Sequence, residues 1–493
     1  MAPYATVIVP THDRIATLAV TVASVQRQTV QEIEIIISGD GATADVTNAA
    51  HALAAQDSRV RFLEFEKAPG SGGENRDRAI REFARAERIF YTDDDDLWLP
   101  QHIETIGLQL DHFDVVDTLP VSATACGRLA LTCVNSASQT TRSLLMQDKL
   151  QSMYDTHLAH RRSTYLALGG PWRKALGGDV VFKVLGTFAA ANVSWLTLPI
   201  ATAISLHGGA RATNSSTERQ AEIVAWSSRL KEHTPQMLTA DAHPAWPFFY
   251  GLNLFPPEAG DTLYDYLRRL GMKLPRDGSD PGLEADLLTL PLDQAKCDEM
   301  ETTFALHRGD LVDTARIISV APVLLDTVKV AVSSWPFLRR ALRRLPLAKA
   351  LTLVQSLPRS DPRTGELLAI FEVYLRLWAR QPKLALPLAE RLAADVRFVP
   401  HEAELLLGEV HLALGNFDEG FSYLGRAAAR ENRGSAISGR LAVAFMKAGR
   451  IDDARVCLER IESRLGGLPH TVALRRQLTA LEIERRDTAD SRL

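Results

Sequence analysis

The chain changes rhythm along its length, and that change restricts its fold more than any single motif does. Up to about residue 235, short apolar runs alternate with stretches of helical spacing; from about 280 the pattern is helical to the end. In the first part, Ala5 to Val9 is a β-branched run ending at Pro10, and Ile15 to Val25 carries apolar residues at helical spacing. Glu34 to Ser38 reads as a second strand, stopped by Gly39-Asp40-Gly41, and Val60 to Phe65 as a third. Glu74 to Arg85 reads as a helix, and Arg88 to Thr92 as a fourth strand that runs into four aspartates. Strands alternating with helices predict a mostly parallel, Rossmann-like α/β sheet covered by helices, over residues 1–235. Such sheets hold ligands at the carboxyl ends of their strands. Thr11-His12-Asp13, Asp40 and Asp93-Asp94-Asp95-Asp96 each follow a strand, so the topology predicts that they converge.

The helical part has its own period. Gly309, Leu345, Gln381, Gly415 and Gly449 recur at spacings of 34 to 36 residues. A fixed period of that length is the mark of stacked helix-turn-helix units. The form Gly449-Arg450-Ile451-Asp452-Asp453-Ala454 resembles a tetratricopeptide repeat, which implies an all-α repeat domain over 291–493. Residues 236–290 are rich in proline and aromatics, among them Pro244, Trp246, Pro247, Phe248, Phe249 and Tyr250. That composition reads as a packed connector rather than a flexible linker, with 276–282 as an exposed loop.

Bulk properties remove several classes. A length of 493 residues implies two to four domains, and a net charge of -4 gives no footprint for a nucleic-acid partner. Cys126, Cys133, Cys297 and Cys457 are scattered without metal-ligand spacing, as expected of reduced cysteines in a cytoplasmic protein, and the start MAPYATVIVP lacks a signal-peptide pattern. Val184 to Leu206 contains no Asp, Glu, Lys or Arg, but Pro199 interrupts it and polar residues are spread through it. We read it as a buried helix followed by a buried strand, not as a membrane span.

The aspartate run carries the strongest chemical signal. Four adjacent carboxylates repel one another, and holding them at a strand end costs stability unless a cation or solvent offsets the charge. Hard divalent ions take oxygen ligands and commonly join one or two carboxylates to substrate phosphates. A solvated acidic turn capping the helix near Pro100 is the competing reading.

Four segments, in order and at ordinary spacing, resemble family 2 glycosyltransferases of the GT-A fold. They are Val7–Arg14 (VIVPTHDR), Ile37–Asp45 (ISGDGATAD), Glu74–Ile80 (ENRDRAI) and Tyr91–Pro100 (YTDDDDLWLP). The resemblance implies a nucleotide-sugar donor held by Pro10, Thr11, Asp13, Asp40, Arg76, Asp93 and Asp94, with Asp40 against a uracil ring and Asp93 near the ribose. It implies Mn2+ or Mg2+ on Asp95 and His207. Asp179, at the head of the apolar run that follows Leu176-Gly177-Gly178, takes the position of the base that accepts the acceptor's proton in an inverting transfer. Arg211 is a further candidate for a phosphate. This chain departs from the family pattern at His12-Asp13, Gly39, Asp77 and Gly178.

No Gln-x-x-Arg-Trp follows Asp179, which speaks against a processive synthase, and no GxxxxGK[ST] loop is present. The expected function is therefore a non-processive hexosyl transfer to a protein, peptide or envelope-glycan acceptor. The alternative is a repeat scaffold with a degenerate nucleotide-binding domain attached. Helical repeats suit an extended peptide, a partner protein or a homodimer. The basic face of Phe337–Leu345 (Arg339, Arg340, Arg343, Arg344) suits peripheral contact with anionic lipid or an acidic acceptor.

Overall fold

The structure is a computed structural model that describes residues 2–68, 72–123, 127, 129–139, 141–142, 155–174, 180–206, 215–246, 258–269, 271–272, 294, 297, 345–356, 362–395, 400–430, 436–465 and 469–490. The chain folds into two compact units, one running to Lys329 and one from Val330 to Leu493, apart from two short segments grouped with the latter.

Among the described residues, twelve strands lie in the first unit: β1 (Ala5–Thr11), β2 (Ile33–Asp40), β3 (Val60–Phe65), β4 (Arg88–Tyr91), β5 (Leu97–Trp98), β6 (Val115–Thr118), β7 (Val121–Ala123), β8 (Leu129–Thr132), β9 (Leu158–Arg161), β10 (Trp195–Leu198), β11 (Ala203–Ile204) and β12 (His243–Trp246). Seven form one sheet in the order β10-β6-β9-β4-β1-β2-β3. All neighbours are parallel except β9, which runs antiparallel to both β4 and β6. Strands β1 and β2 are buried along almost their whole length and mostly apolar, which is what a parallel sheet demands of its central strands. The helix Ile15–Gln26 turns Leu18, Val22 and Val25 inward against them, at the spacing of one helical face.

Strand β1 runs two residues past the expected end, through Pro10. Its pairing with β4 stops at Ile8↔Tyr91, so the missing N–H of Pro10 lies beyond the end of β4. The helix expected over Glu74–Arg85 instead spans Gly73–Arg78 and continues as a wider turn, Ala79–Phe83. It ends early because the Arg85 N–H donates to buried Glu34 at 2.5 Å and the Ala86 N–H donates to Thr6 at 3.2 Å. The stretch from Val184 forms a helix, Val180–Ala190, followed by buried β10 and β11, as the sequence predicts. Among the described residues no helix is long and apolar enough to cross a membrane. Two small sheets, β11-β5 and β12-β8-β7, complete the unit. The described parts of the expected connector contribute the helix Pro235–Asp241, strand β12 and the helix Leu263–Arg269; the loop 276–282 lies outside the described residues.

The described part of the second unit is helical throughout. Three of the sequence landmarks fall at helix–helix turns. Gln381 separates Pro362–Trp378 from Pro382–Asp395, Gly415 separates Pro400–Leu414 from Phe417–Ala429, and Gly449 separates Ala436–Lys447 from Ile451–Leu465. Gly415 and Gly449 adopt φ of 85° and 73°, the left-handed turn that glycine enters without strain. Leu345 directly precedes the helix Leu347–Ser356, while Gly309 and the arginines of the basic face, Arg339 to Arg344, lie outside the described residues.

Candidate active site

Strand β4 delivers the aspartate run to the carboxyl edge of the sheet, and each carboxylate there has a distinct environment. Asp93 is the most open, with its side chain 42% exposed, and accepts from Arg76 Nη2 at 3.2 Å. Asp94 is buried; it accepts from the Thr11 hydroxyl at 2.8 Å and from Arg14 Nη1 at 3.3 Å. Asp95 is buried as well. Its Oδ2 receives Arg14 Nη1 and, at 2.6 Å, Arg219 Nη2. Asp96 turns back into the fold, taking the Leu206 N–H at 2.9 Å and the Ser205 hydroxyl at 3.2 Å, while its carbonyl accepts from Thr21 at 2.9 Å.

Three arginines thus face the run from three separate elements. Burial alone would make Arg14 easier to deprotonate, but the charges of Asp95, Asp94 and Asp93 outweigh it and hold the guanidinium charged. The carboxylates feel the converse. Burial pushes Asp94 up to about 6, against the pull of Arg14, and raises Asp96 well above the usual carboxylate range, with Asp95 and Asp93 adding to the shift. A solvated acidic turn does not describe Asp94, Asp95 or Asp96, because all three are buried and hydrogen-bonded.

Asp40, the last residue of β2, is fixed by the Ala68 N–H at 2.8 Å, by Asn75 Nδ2 at 2.7 Å and by Lys67. Gly72 permits this closeness, since a Cβ there would lie 2.9 Å from Asp40 Oδ2 and its φ is 75°. Two departures from the family pattern have local causes. A Cβ on Gly39 would meet Phe62 Cε2 at 2.9 Å, so the Phe62 ring fills the space that an acidic side chain would need. Asp77 accepts from the Tyr165 hydroxyl at 2.8 Å, and burial raises its carboxyl above the usual range. Arg76 lies over the Trp172 ring, 4.7 Å from its centroid, a stacked placement that aims its fork at Asp93.

Arg14, Asp155 and Arg219 are site residues that the sequence reading did not single out. Because β9 is antiparallel, its leading turn Asp155–His157 arrives at the same carboxyl edge as Asp93. Asp155 is buried 4.0 Å from Arg76, its Oδ2 has no hydrogen-bond partner, and burial together with the charge of Asp93 pushes it up to about 7. The only sequence signal was an acidic residue just ahead of the strand that contains His160. His157 and His160 are themselves buried; His157 lies 3.2 Å from the Ser205 hydroxyl and His160 lies 2.5 Å from the Tyr91 hydroxyl.

The sheet thus brings Thr11, Asp40, Arg76, Asp93, Asp94 and Asp95 to one edge. Pro10 is half-buried in β1, and Asp13 is exposed in the turn that follows. Asp179, His207 and Arg211 lie outside the described residues. Asp93 and Asp95 offer the hard oxygens that a divalent cation requires, and the guanidiniums already drawn to Asp95 Oδ2 show that this oxygen attracts positive charge. Among the described residues no three His, Cys, Asp or Glu side chains group as a cage, so a cation here would draw further oxygens from elsewhere, as Mg2+ does from substrate phosphates.

A model of glycosyl transferase family 2 matches residues 6–157, and a tetratricopeptide-repeat model matches residues 411–478. Glycosyltransferase GlyG of Streptococcus pneumoniae is 32% identical over 114 residues, which is 23% of this chain and 37% of that protein. The GalNAc(5)-diNAcBac-PP-undecaprenol beta-1,3-glucosyltransferase of Campylobacter jejuni is 31% identical over 105 residues, 21% of this chain and 33% of that protein. The chain therefore spans about a third of the length of the curated relatives it matches. Among solved structures, S. aureus TarS 1-349 aligns with 81% of this chain and 90% of its own, at 14% identity and a TM-score of 0.32. The mannosyltransferase PcManGT from Pyrobaculum calidifontis, in complex with GDP-Man and Mn2+, covers 80% of this chain and 88% of its own, at 14% identity and a TM-score of 0.33. This chain carries a family 2 glycosyltransferase domain of the GT-A fold at its N-terminus and tetratricopeptide repeats at its C-terminus.

Proposed function

We propose that this protein is an inverting, non-processive glycosyltransferase that moves a sugar from a nucleotide-sugar, most simply a UDP-sugar, to a polypeptide or envelope-glycan acceptor. One observation carries the reading: β4, β1 and β2 bring Asp93–Asp95, Thr11 and Asp40 to the carboxyl edge of the sheet, where Arg76 joins them. Asp40, preset by Asn75 and the Ala68 N–H, receives a base N–H. Arg76, stacked on Trp172, and the β1 turn from Pro10 through Thr11 to Asp13 position the nucleotide, and Asp93, the most open carboxylate of the run, faces the ribose. Asp94 holds Thr11 and Arg14 in place. Asp95 and His207 would hold Mn2+ or Mg2+, which when bound stabilises the charge developing on the leaving diphosphate. Asp179 accepts the acceptor's proton as its oxygen attacks the anomeric carbon from the far face. The repeats bind the acceptor, a partner or a second copy, and the scattered spacing of the cysteines in the sequence accords with a cytoplasmic site.

A second reading keeps one observation in its favour. Asp94 and Asp95 are already paired with arginines, as they would be in a scaffold that has lost its donor. Calorimetry with UDP and GDP in the presence of Mn2+ separates the two readings. The enzyme binds one of them in a metal-dependent way, Asp95→Ala loses that dependence, and Asp179→Asn retains binding but transfers at least ~100-fold more slowly, since general-base catalysis contributes about that much or more. No binding of either nucleotide favours the scaffold.

A further inference from the structure

We infer that Arg14 and Arg219 are built-in counter-cations at Asp95, displaced when a divalent ion binds there and then taken up by the donor's diphosphate. This rests on the reading of the edge as a nucleotide-sugar site. Both guanidiniums converge on the same oxygen, Asp95 Oδ2, although Arg14 comes from the turn after β1 and Arg219 from the first turn of the helix Ser216–Arg229, 124 positions from Asp95 in sequence. The placement of Arg219 is fixed by a capping box. The Ser215 hydroxyl accepts from the Glu218 N–H at 3.2 Å, and the Glu218 carboxylate accepts from the Ser215 N–H at 2.8 Å. Little water reaches the cluster: Arg14, Arg219 and Asp95 side chains are 12%, 15% and 4% exposed.

A divalent ion at Asp95 Oδ2 would lie within a few ångströms of two guanidiniums, and in so shielded a place that repulsion is strong. The arginines must therefore leave as the ion arrives. A guanidinium leaving a carboxylate in a poorly hydrated site needs another anion, and its planar fork of donors suits phosphate oxygens. A nucleoside diphosphate supplies them. Cation and diphosphate then bind cooperatively, because each alone meets a charge balance that is already closed, and by linkage each tightens the other.

The test uses the full-length protein, with Mn2+ alone followed by its spin-resonance spectrum, and then UDP and GDP by calorimetry at saturating Mn2+. Arg219→Gln should bind Mn2+ alone about tenfold more tightly than wild type and the nucleotide about tenfold more weakly, the scale of one charge-assisted hydrogen bond. Arg219→Lys keeps the charge and thereby the fold. It should leave Mn2+ binding near wild type and still weaken the nucleotide, because the fork is gone. Mn2+ should raise the Tm of Arg219→Gln more than that of wild type. Unchanged or weaker binding of Mn2+ alone by Arg219→Gln overturns the counter-cation role, and unchanged nucleotide affinity in both variants overturns the transfer to diphosphate. A wild-type protein that binds neither nucleotide overturns the donor-site reading, and the transfer with it, whatever the Mn2+ titrations show.

Discussion

Asp155 sits beside Arg76 with one oxygen lacking a hydrogen-bond partner, and its protonation couples the site to pH. Burial, then the charge of Asp93, lifts it to about 7, while Arg76 opposes. An unfolded aspartate titrates near 4, so the folded chain holds this proton over the intervening range. Stability from this group is greatest below that range and is lost as pH rises through about 7. The buried histidines act in the other direction. His157 and His160, pushed down to about 3 and about 4 by burial, withdraw stability as pH falls through the unfolded value near 6.5. The wild-type slope is thus a difference of opposing contributions, and the informative quantity is a comparison. Asp155→Asn should gain Tm relative to wild type as pH rises from 6 to 8, read by calorimetry without added metal; a relative loss over that window contradicts the assignment. The aspartate run was legible in the sequence because carboxylates directly after an apolar strand have one place to be. Asp155 and Arg219 were not, because their contacts depend on which strand lies next to β4 and where a distant helix begins. Local pattern encodes neither.

Elements were read well where a period is strong and less well where a tertiary contact decides the end. Val60–Phe65 coincides with its expected strand, whereas the helix from Gly73 stops short because buried Glu34 and Thr6 draw the N–H groups of Arg85 and Ala86. The reversed direction of β9 also lay beyond the alternating pattern, which states that a strand is present and not which way it runs. In the repeats, the turn glycines were legible from spacing, but a second use of glycine was not. The helices Pro400–Leu414 and Phe417–Ala429 approach through Gly408 and Gly420: a Cβ on Gly420 would lie 2.7 Å from the Leu412 side chain and 3.2 Å from the Gly408 carbonyl. Gly420→Val should therefore cost about 1–3 kcal/mol by overpacking that crossing. Urea denaturation followed by helical circular dichroism reads this directly, and a cost below about 0.5 kcal/mol, the range of neutral surface changes, would show that the crossing is looser than described.

At the scale of the whole molecule, two units carry two kinds of work. One carries an arginine-paired carboxylate edge, which the proposed function gives to the donor's diphosphate, and the other a run of packed helix pairs, which it gives to the acceptor, a partner or a second copy. The central claim concerns the first: the edge that β4, β1 and β2 form is a working donor site. A hydrolysis screen of nucleotide-sugars with Mn2+, run in parallel on wild type and Asp95→Ala, tests it most directly. The account predicts that wild type releases nucleoside diphosphate from at least one of them, UDP-sugars first, and that Asp95→Ala falls by about 100-fold or more, the scale of removing one electrostatic contact to the leaving group. Equal rates in the two proteins, or no turnover of any nucleotide-sugar, would contradict it.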